Sequence, residues 1–476
     1  MKDFPGTINE LFRKRVTETP SRPWLFFESD TYTFADADEI IDRFATGLAA
    51  RNVKAGDRVA LLLGNRPETI FVWLAANRIG AIAAILNPAF KAPEIEAFTK
   101  LAQPALFVTA ENLGSLSANE RSTPVVDVKP DDVAVLLSTS GTTGAPKAVA
   151  QTHRTYALTA EAFPWWLGLD ENDRLLAALP LFHINAQAYA TMGSLGANAG
   201  LALLPKFSAS RFFADAKRLG ATQFNAVGAM IHILLKGERR AEERDHPLRI
   251  AYAALALSEA EHRAFEERLG LRMFVGYGMS ETTFGTVWPR SEPPRFGTMG
   301  VLRQHPRLGT INRARVVRED GTDAKDDEPG ELWLSNPGTM QGYFHDPAAT
   351  AAALADGFLH TGDVVRRDRD GFFTFVARKK DVIRRRGENI SAAEVEAVLM
   401  QHASVREAAV VPAPSDLGED EVVAHVAPNG GAAIDEAALI AFCKERLADF
   451  KVPSKVVVHD ALPKTATERI AKHLLR

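Results

Sequence analysis

Short hydrophobic runs alternate with amphipathic stretches through the first 280 residues of the chain. The run DRVALLLG at 57–64 predicts a buried strand, and ETIFVWLAANRIG at 68–80 predicts a helix that ends at Gly80. Further runs of the same kind lie at 80–86, 104–110, 173–181, 199–205, 221–227, 248–255 and 271–278. Strands that are apolar on both faces and separated by helices are typical of parallel sheets covered by helices on both sides.

The pattern changes after residue 305, where short alternating stretches predict strands with turn residues between them. Asp370 and Gly371 predict the tight turn of a hairpin. Beyond residue 379, Ser391 predicts a helix start, and Glu394 three residues later completes a capping box. Two strands and a helix at 435–448 follow, which is enough for a small independent core.

These patterns together predict an α/β fold with a large N-terminal domain and a small C-terminal domain of α+β type. We place the N-terminal domain at residues 1–378, with parallel α/β layers to about residue 300 and a β-rich part over about 305–378. The C-terminal domain is placed at residues 379–476.

Composition narrows the class of protein. The chain has 476 residues, 46% hydrophobic and 24% charged, and a formal net charge of −4, so no global charge favours nucleic acid or anionic lipid. Its single cysteine, Cys443, excludes an internal disulfide and a cysteine-rich metal site. The apolar run at 79–86 is far shorter than the roughly 20 residues that a membrane span needs. Since the N-terminal residues also lack a signal-peptide pattern, we expect a soluble cytoplasmic protein with no membrane span.

The stretch STSGTTGAPK at 138–147 has the composition of a phosphate-binding loop. Small residues let backbone N–H groups approach phosphate oxygens, and hydroxyl groups add further donors. The spacing differs from the G-x-x-x-x-G-K-[ST] loop of common nucleotide triphosphatases. Taken alone, the stretch also fits an ordinary polar turn after a strand.

Four further motifs follow in order: YGMSET at 277–282, TGD at 361–363, ARKKDVIRRRGENISAAEVE at 377–396 and KVPSKVVVHDALPKTATERI at 451–470. With the loop, they make the chain resemble the adenylate-forming superfamily of acyl-CoA synthetases, adenylation domains and luciferases. PLFHINAQAY at 180–189 and RRRGENIS at 384–391 are most similar to acyl-CoA ligases of the carnitine-CoA ligase type.

This resemblance implies an ATP-dependent carboxylic acid–CoA ligase that uses ATP, Mg²⁺ and CoA. The enzyme would join a small acid to AMP, release pyrophosphate, and transfer the acyl group to CoA. The resemblance also implies that the small C-terminal domain is mobile and rotates at a hinge, which would be Lys380 in this chain.

The resemblance assigns roles to individual residues. Lys147, Thr142, Glu281 and Arg469 would be catalytic, with Glu281 and Thr142 at the metal. The phosphate and nucleotide contacts would come from Ser138, Thr139, Ser140, Gly141, Thr142, Thr143, Gly144, Lys147, Tyr277, Gly278, Met279, Ser280, Thr282, Asp363 and Arg378. Thr282 would contact the α-phosphate, and Asp363 the ribose.

Other implied roles concern CoA and the acid. Gly387 and Glu388 would line the pantetheine tunnel, and the CoA phosphates would meet Arg384, Arg385 and Arg386, which alternatively form a solvated surface. The substrate pocket would be lined by His183, Asn185, Asn225, Gly228, Ala254 and Gly276. These segments are mostly apolar and suggest an aliphatic or aromatic acid of modest size.

The chain departs from the superfamily pattern in two places. Where the pattern has P-K-T-x-x-G-K-I, residues 463–470 read PKTATERI, so that Glu468 replaces glycine and Arg469 replaces a lysine. Arginine keeps the charge but is planar and bulkier, which predicts slow adenylation. Lys464 and Lys472 lie nearby, but their positions in the motif do not match that of the missing lysine, which argues against either of them taking its role. The segment AALALS at 253–258 lacks the glycines of GGAPLS, which predicts a reshaped substrate cavity.

Two alternatives stay open at this point. The acyl group could pass to an amine or a carrier-protein thiol instead of CoA, because the first half-reaction is the same. Arg469 also leaves open a non-catalytic nucleotide or acyl-CoA binder. We expect no nucleic-acid partner, and either a monomer or a homodimer.

Overall fold

The structure is a computed structural model that describes residues 6–124, 126–139, 147–254, 257–379, 382–385, 388–414, 420–430, 433–447, 449–465 and 469–475. Contacts divide the chain into two units. The first comprises residues up to Ala314 together with Leu334–Leu359, and the second comprises Arg315–Trp333 and the residues from His360 onward.

Helices of the first unit alternate with strands, as the hydrophobic runs predict. Its α-helices are α1 (Ile8–Glu18), α2 (Phe34–Ala50), α3 (Pro67–Arg78), α4 (Ala92–Ala102), α5 (Ala110–Leu116), α6 (His153–Leu167), α7 (Met192–Ala197), α8 (Phe212–Arg218), α9 (Gly228–Lys236), α10 (Glu259–Leu269) and α11 (Pro347–Ala353). A π-helix spans Asn185–Thr191. Helix α3 is followed by Gly80 with a φ of 74°, the left-handed conformation that ends a helix, which confirms the predicted stop.

A nine-stranded sheet forms the larger layer of this unit. Its strands are β1 (Pro23–Phe27), β2 (Asp30–Thr33), β8 (Arg174–Ala177), β9 (Gly200–Leu203), β10 (Gln223–Ala226), β11 (Ile250–Ala253), β12 (Arg272–Met279), β13 (Thr282–Val287) and β14 (Val301–Leu302). The order is β14-β13-β12-β11-β10-β8-β9-β1-β2. The strands from β12 to β1 run parallel, and β2, β13 and β14 add antiparallel edges.

A second sheet of six strands carries the phosphate-loop segment. Its strands are β3 (Arg58–Leu61), β4 (Ile82–Ile85), β5 (Leu106–Val108), β6 (Val133–Thr139), β7 (Lys147–Thr152) and β17 (Gly342–Tyr343), in the order β17-β7-β6-β4-β3-β5. The strands β3, β4, β5 and β6 are parallel, whereas β6 and β7 form an antiparallel pair. The predicted α/β layers with parallel sheets are therefore confirmed.

The remaining strands are β15 (Arg313–Val317), β16 (Gly330–Ser335), β18 (Leu354–Ala355), β19 (Phe358–Arg367), β20 (Phe373–Arg378), β21 (Val382–Arg385), β22 (Glu388–Ser391), β23 (Val405–Pro414), β24 (Asp420–Pro428) and β25 (Lys455–Val458). These strands include a sheet in the order β15-β16-β19-β18, with β20 beside β19, in which β19 pairs antiparallel with both β18 and β20. Gly371, with a φ of 85°, turns the chain between β19 and β20, as the Asp-Gly pair predicts.

The C-terminal part of the second unit packs two helices, α12 (Ala392–Gln401) and α13 (Glu436–Lys444), with the three-stranded sheet β23-β24-β25. Ser391 caps α12 by accepting a hydrogen bond from the Glu394 backbone N–H at 3.2 Å. The reciprocal half of the predicted capping box is wrong, because the Glu394 carboxylate binds the Lys451 ammonium at 2.7 Å instead. Among the described residues, no helix is long and apolar enough to cross a membrane.

His153, the first residue of α6, makes the stability of the first unit dependent on pH. Its side chain is buried, and burial lowers the pKa of the imidazole from 6.5 to about 4, although Asp132 acts in the opposite direction. The unfolded chain thus takes up a proton below pH 6.5, whereas the folded chain resists it until about pH 4. We expect His153 to leave the free energy of unfolding unchanged above pH 6.5 and to lower it by about 2 kcal/mol at pH 5.

Urea unfolding at pH 8 and pH 5 measures this contribution. His153→Gln should lose less stability between the two pH values than the native chain, and the exposed His473→Gln should lose as much as the native chain. An equal loss in all three proteins would show that His153 is not the titrating group.

Candidate functional site

The predicted substrate-pocket residues come together because parallel strands end at one edge of the nine-stranded sheet. His183 and Asn185 follow β8, Asn225 and Gly228 lie at the end of β10, and Ala254 follows β11. Gly276 lies in the last half of β12 and leads into the YGMSET motif. Ligands of α/β proteins bind at this carboxyl edge. His183 is half-buried against the Phe182 ring, whereas Ala254 is exposed.

A tyrosine that sequence reasoning missed connects two of the predicted catalytic residues. The Tyr343 hydroxyl donates a hydrogen bond to Glu281 Oε1 at 2.9 Å. The Lys147 ammonium lies 4.6 Å from the centre of the Tyr343 ring, a cation–π contact. Burial, and then the neighbouring Glu281, raise the pKa of the Tyr343 phenol well above its ordinary value, so it stays a donor at neutral pH. Lys147, Tyr343 and Glu281 thus form one polar cluster.

Backbone contacts fix the turn that carries Glu281. The buried Gln151 side chain of β7 donates to the Ser280 carbonyl at 2.6 Å. The Met340 N–H donates to the Glu281 carbonyl at 2.8 Å. Strand β17 pairs with β7 and brings Tyr343 beside Val149. The two sheets therefore meet at this turn, which leaves the half-buried Glu281 side chain directed toward Tyr343.

Thr282, the predicted α-phosphate contact, is held by a neighbouring side chain. Its side chain is fully buried, and its hydroxyl donates to Asn336 Oδ1 at 3.2 Å. The predicted contact with the α-phosphate would require this hydrogen bond to break. The neighbouring Tyr277 and Met279 are half-buried, and the Tyr277 hydroxyl points to the Met279 sulfur at 3.6 Å.

The predicted phosphate cradle lies between two paired strands. Ser138 is paired with Ala148, and Thr139 with Lys147, so β6 and β7 bring both ends of the loop together. Residues 140–146 of the cradle, Thr142 among them, lie outside the described residues. At the end of the cradle, the Lys147 side chain reaches the cluster of Tyr343 and Glu281.

Three neutral amides form a hydrogen-bonded row at the predicted substrate pocket. Gln223 Nε2 donates to Asn225 Oδ1 at 2.7 Å, and Asn225 Nδ2 donates to Asn185 Oδ1 at 2.8 Å. Gln223 and Asn225 are buried, whereas Asn185 is half-buried at the first position of the π-helix. π-helical turns are frequent at functional sites. These three amides place uncharged hydrogen-bonding groups at the predicted pocket.

Gly276 and Gly278 allow large side chains to approach β12 closely. A Cβ at Gly276 would lie 2.6 Å from the Tyr252 hydroxyl and 2.8 Å from Arg303 Nη2. A Cβ at Gly278 would lie 2.6 Å from the Tyr189 hydroxyl. Any side chain at these two positions would displace the aromatic groups behind the pocket.

The two predicted nucleotide contacts of the second unit bind each other. Asp363 of β19 is opposite Arg378 of β20, and Arg378 Nε lies 2.9 Å from Asp363 Oδ1. The Gly362 N–H before Asp363 donates to Glu331, which also binds the Lys379 ammonium at 2.9 Å. Burial raises the pKa of Glu331, but these donors outweigh it and lower the pKa overall. These contacts link β19, which carries Asp363, to β16 through Glu331 and to β20 through Arg378.

Of the three arginines predicted to meet the CoA phosphates, Arg385 is engaged by other residues of the chain. Arg385 binds Glu421 at 2.8 Å and donates to the Phe450 and Val452 carbonyls, so its guanidinium is held inside the C-terminal part. Glu388 begins β22, and its side chain is not described. Lys380, Arg386 and Gly387, as well as the Arg384 side chain, lie outside what the structure describes.

Arg469 is exposed near the C-terminus, where its backbone N–H and carbonyl bind Thr465. The two nearby lysines are engaged elsewhere: Lys464 pairs with Glu407, and Lys472 pairs with Glu396 at 2.7 Å. Both lysines thus have carboxylate partners of their own.

We expect Tyr343→Phe to lower kcat/KM for acid-dependent ATP–pyrophosphate exchange by about tenfold, because it deletes the hydrogen bond to Glu281 and keeps the ring beneath Lys147. The exchange assay measures this. Tyr32→Phe is the matched control, since it removes a half-buried phenol far from the YGMSET motif in the sheet order. Equal rates for Tyr343→Phe and the native chain would contradict a role for the hydroxyl.

Comparison with known proteins identifies matches along nearly the whole chain. The AMP-binding enzyme family model matches residues 12–344, and that of the AMP-binding enzyme C-terminal domain matches 394–469. A crotonobetaine/carnitine–CoA ligase of Salmonella arizonae is 31% identical, over 95% of each chain.

Two solved structures have the same fold over almost all of both chains. The O-succinylbenzoate coenzyme A synthetase of Bacillus subtilis, in complex with ATP and magnesium ion, is 29% identical with a TM-score of 0.87 and covers 98% of each chain. ATP-bound MatB from Rhodopseudomonas palustris is 26% identical with a TM-score of 0.86, again over 98% of each chain.

Proposed function

The chain belongs to the AMP-binding enzyme family, and on that premise we propose that Lys147, Tyr343 and Glu281 hold the ATP of an AMP-forming acid–CoA ligase. The enzyme activates a carboxylic acid as acyl-AMP with release of pyrophosphate, and then forms the acyl-CoA thioester. A carboxylate alone resists attack by a thiol because oxide is a poor leaving group, whereas AMP is a good one.

Joining a carboxylate to ATP brings two anions together, so the site must supply positive charge and fixed geometry. Lys147 supplies an ammonium group at the base of the cradle. Glu281 supplies one carboxylate, and Mg²⁺ prefers one or two carboxylates together with phosphate oxygens. Bound Mg²⁺ would neutralise charge on the triphosphate, and the Tyr343 hydroxyl would orient the Glu281 carboxylate toward it.

The observation that carries this proposal is the cluster of Lys147, Tyr343 and Glu281 at the meeting point of two sheets. Purified protein incubated with ATP, Mg²⁺, CoA and a panel of carboxylic acids tests it, with pyrophosphate release and acyl-CoA as readouts. Pyrophosphate release that requires an acid, together with a CoA thioester, is the expected result. Release of neither product with any acid would overturn the proposal.

We further propose roles for the residues that lie outside this cluster. Asp363 and Arg378 would bind the nucleotide, Lys380 would be the hinge of a C-terminal domain that begins near residue 379, and Gly387 and Glu388 would contact CoA. The acid would be of modest size. The Salmonella relative is named for crotonobetaine and carnitine, acids with a quaternary ammonium group. A cytoplasmic location and a monomer or homodimer stay predictions.

A further inference from the structure

Arg303 is a fully buried arginine with no carboxylate partner among the described residues. Its Nε donates to the Thr286 carbonyl at 2.8 Å, and its Nη1 donates to the Tyr189 hydroxyl and the Thr283 carbonyl, both at 2.6 Å. Its Nη2 has no hydrogen-bond partner within the described parts of the chain. Burial lowers the pKa of this guanidinium, but arginine keeps its charge in proteins.

An aromatic cage surrounds this charge. The guanidinium carbon lies 4.7 Å from the Trp166 ring, 5.0 Å from the Tyr189 ring and 5.4 Å from the Tyr252 ring. Such cages also recognise quaternary ammonium ligands. Here the chain's own cation lies against these rings, so the faces turned toward Arg303 are not open to a second cation.

The cage adjoins the predicted acyl pocket at three places. Arg303 Nη2 faces Gly276, where an added Cβ would lie 2.8 Å away. Tyr252 is the direct neighbour of Asn225, because β10 and β11 pair these two residues. Tyr189 belongs to the same π-helix as Asn185. The pocket residues therefore border a fixed positive charge on one side and the row of uncharged amides on the other.

We infer that the acid accepted by this site carries no positive charge at the end remote from its reacting carboxylate, and that Arg303 enforces this selection. The inference rests on the proposed function. A cationic substituent would enter a low-dielectric region beside an unbalanced guanidinium, where repulsion is poorly screened. Neutral and anionic substituents escape this repulsion. The site therefore selects against betaine-type acids, although the relatives are named for them.

Matched pairs of acids isolate charge from shape. Each pair consists of a trimethylammonio acid and the acid in which carbon replaces the quaternary nitrogen: trimethylammonioacetate with 3,3-dimethylbutanoate, and 4-(trimethylammonio)butanoate with 5,5-dimethylhexanoate. We expect native enzyme to show at least about tenfold higher kcat/KM for the neutral member of the better pair. Arg303→Met should reduce this ratio severalfold, whereas Arg303→Lys should retain it.

Calorimetric binding of each acid, with AMP present, gives the same ratio without turnover, so loss of the ligase reaction is distinguished from loss of charge selection. Equal or better use of the betaines by native enzyme overturns the inference. So does an unchanged ratio in a folded Arg303→Met protein, with Arg303→Gln as the second neutral variant if the methionine variant does not fold. Failure of every acid in both pairs to bind also overturns it.

Discussion

Glu281→Gln should lower acid-dependent ATP–pyrophosphate exchange by at least about a hundredfold, because the amide keeps the shape of the side chain and removes its charge. The glutamine can still accept the hydrogen bond that the Tyr343 hydroxyl donates. The backbone contacts of the turn, from Met340 and Gln151, do not involve this side chain. The loss should therefore appear in catalysis and not in the midpoint of thermal unfolding.

A magnesium titration tests whether the loss in the Glu281→Gln variant comes from weaker binding of Mg²⁺. If Glu281 binds Mg²⁺ beside the triphosphate, the variant should need a higher Mg²⁺ concentration for half-maximal exchange than the native enzyme does. Glu68→Gln, which removes a half-buried carboxylate that is ion-paired to Arg66, is the control and should leave exchange unchanged. Native-like exchange by Glu281→Gln at limiting Mg²⁺ would exclude the metal role.

Hydrophobic patterning was sufficient to predict the layered fold. The run at 57–64 contains β3, because a strand buried on both faces has to be apolar at successive positions. The stretch after it became α3, a helix that is buried on nearly all sides. The edge strands β2 and β14 were not predictable, since they are only four and two residues long and carry few buried positions.

The site was predictable only where its residues lie close together in sequence. Glu281 stood out within the YGMSET motif, but its partner Tyr343 is 62 residues away, in a two-residue strand without a pattern of its own. Arg303 gave no signal either, because an arginine in sequence suggests an exposed side chain. Its burial follows from the contacts of β13, the π-helix and β12, which tertiary packing alone brings together.

Local rules also failed where a distant partner competed. Glu394 stands at the position of a capping box, yet Lys451 of a later segment binds its carboxylate. A full ion pair with two short contacts outweighs a single backbone hydrogen bond at the helix start.

Arg469→Lys should raise the rate of acid-dependent pyrophosphate exchange by up to about a hundredfold, because it restores a compact ammonium where the superfamily pattern has lysine. The native side chain is exposed, and the neighbouring backbone contacts with Thr465 do not depend on its identity. The substitution should therefore leave the unfolding midpoint unchanged. The exchange rate at saturating acid reports kcat, and the rate at limiting acid reports kcat/KM, so the two measurements separate an effect on kcat from one on KM.

The thioester step supplies the internal control for this variant. Acyl-CoA formation from preformed acyl-AMP does not require a cation between carboxylate and α-phosphate, so its rate should be the same for the native enzyme and for the Arg469→Lys variant. Lys464→Arg tests the specificity of position, since Lys464 already pairs with Glu407 and the change should leave exchange unaltered. A gain in both half-reactions would point to a general change in the C-terminal part. No gain in exchange would mean that the native guanidinium already provides the charge that adenylation needs, through the bidentate geometry of arginine.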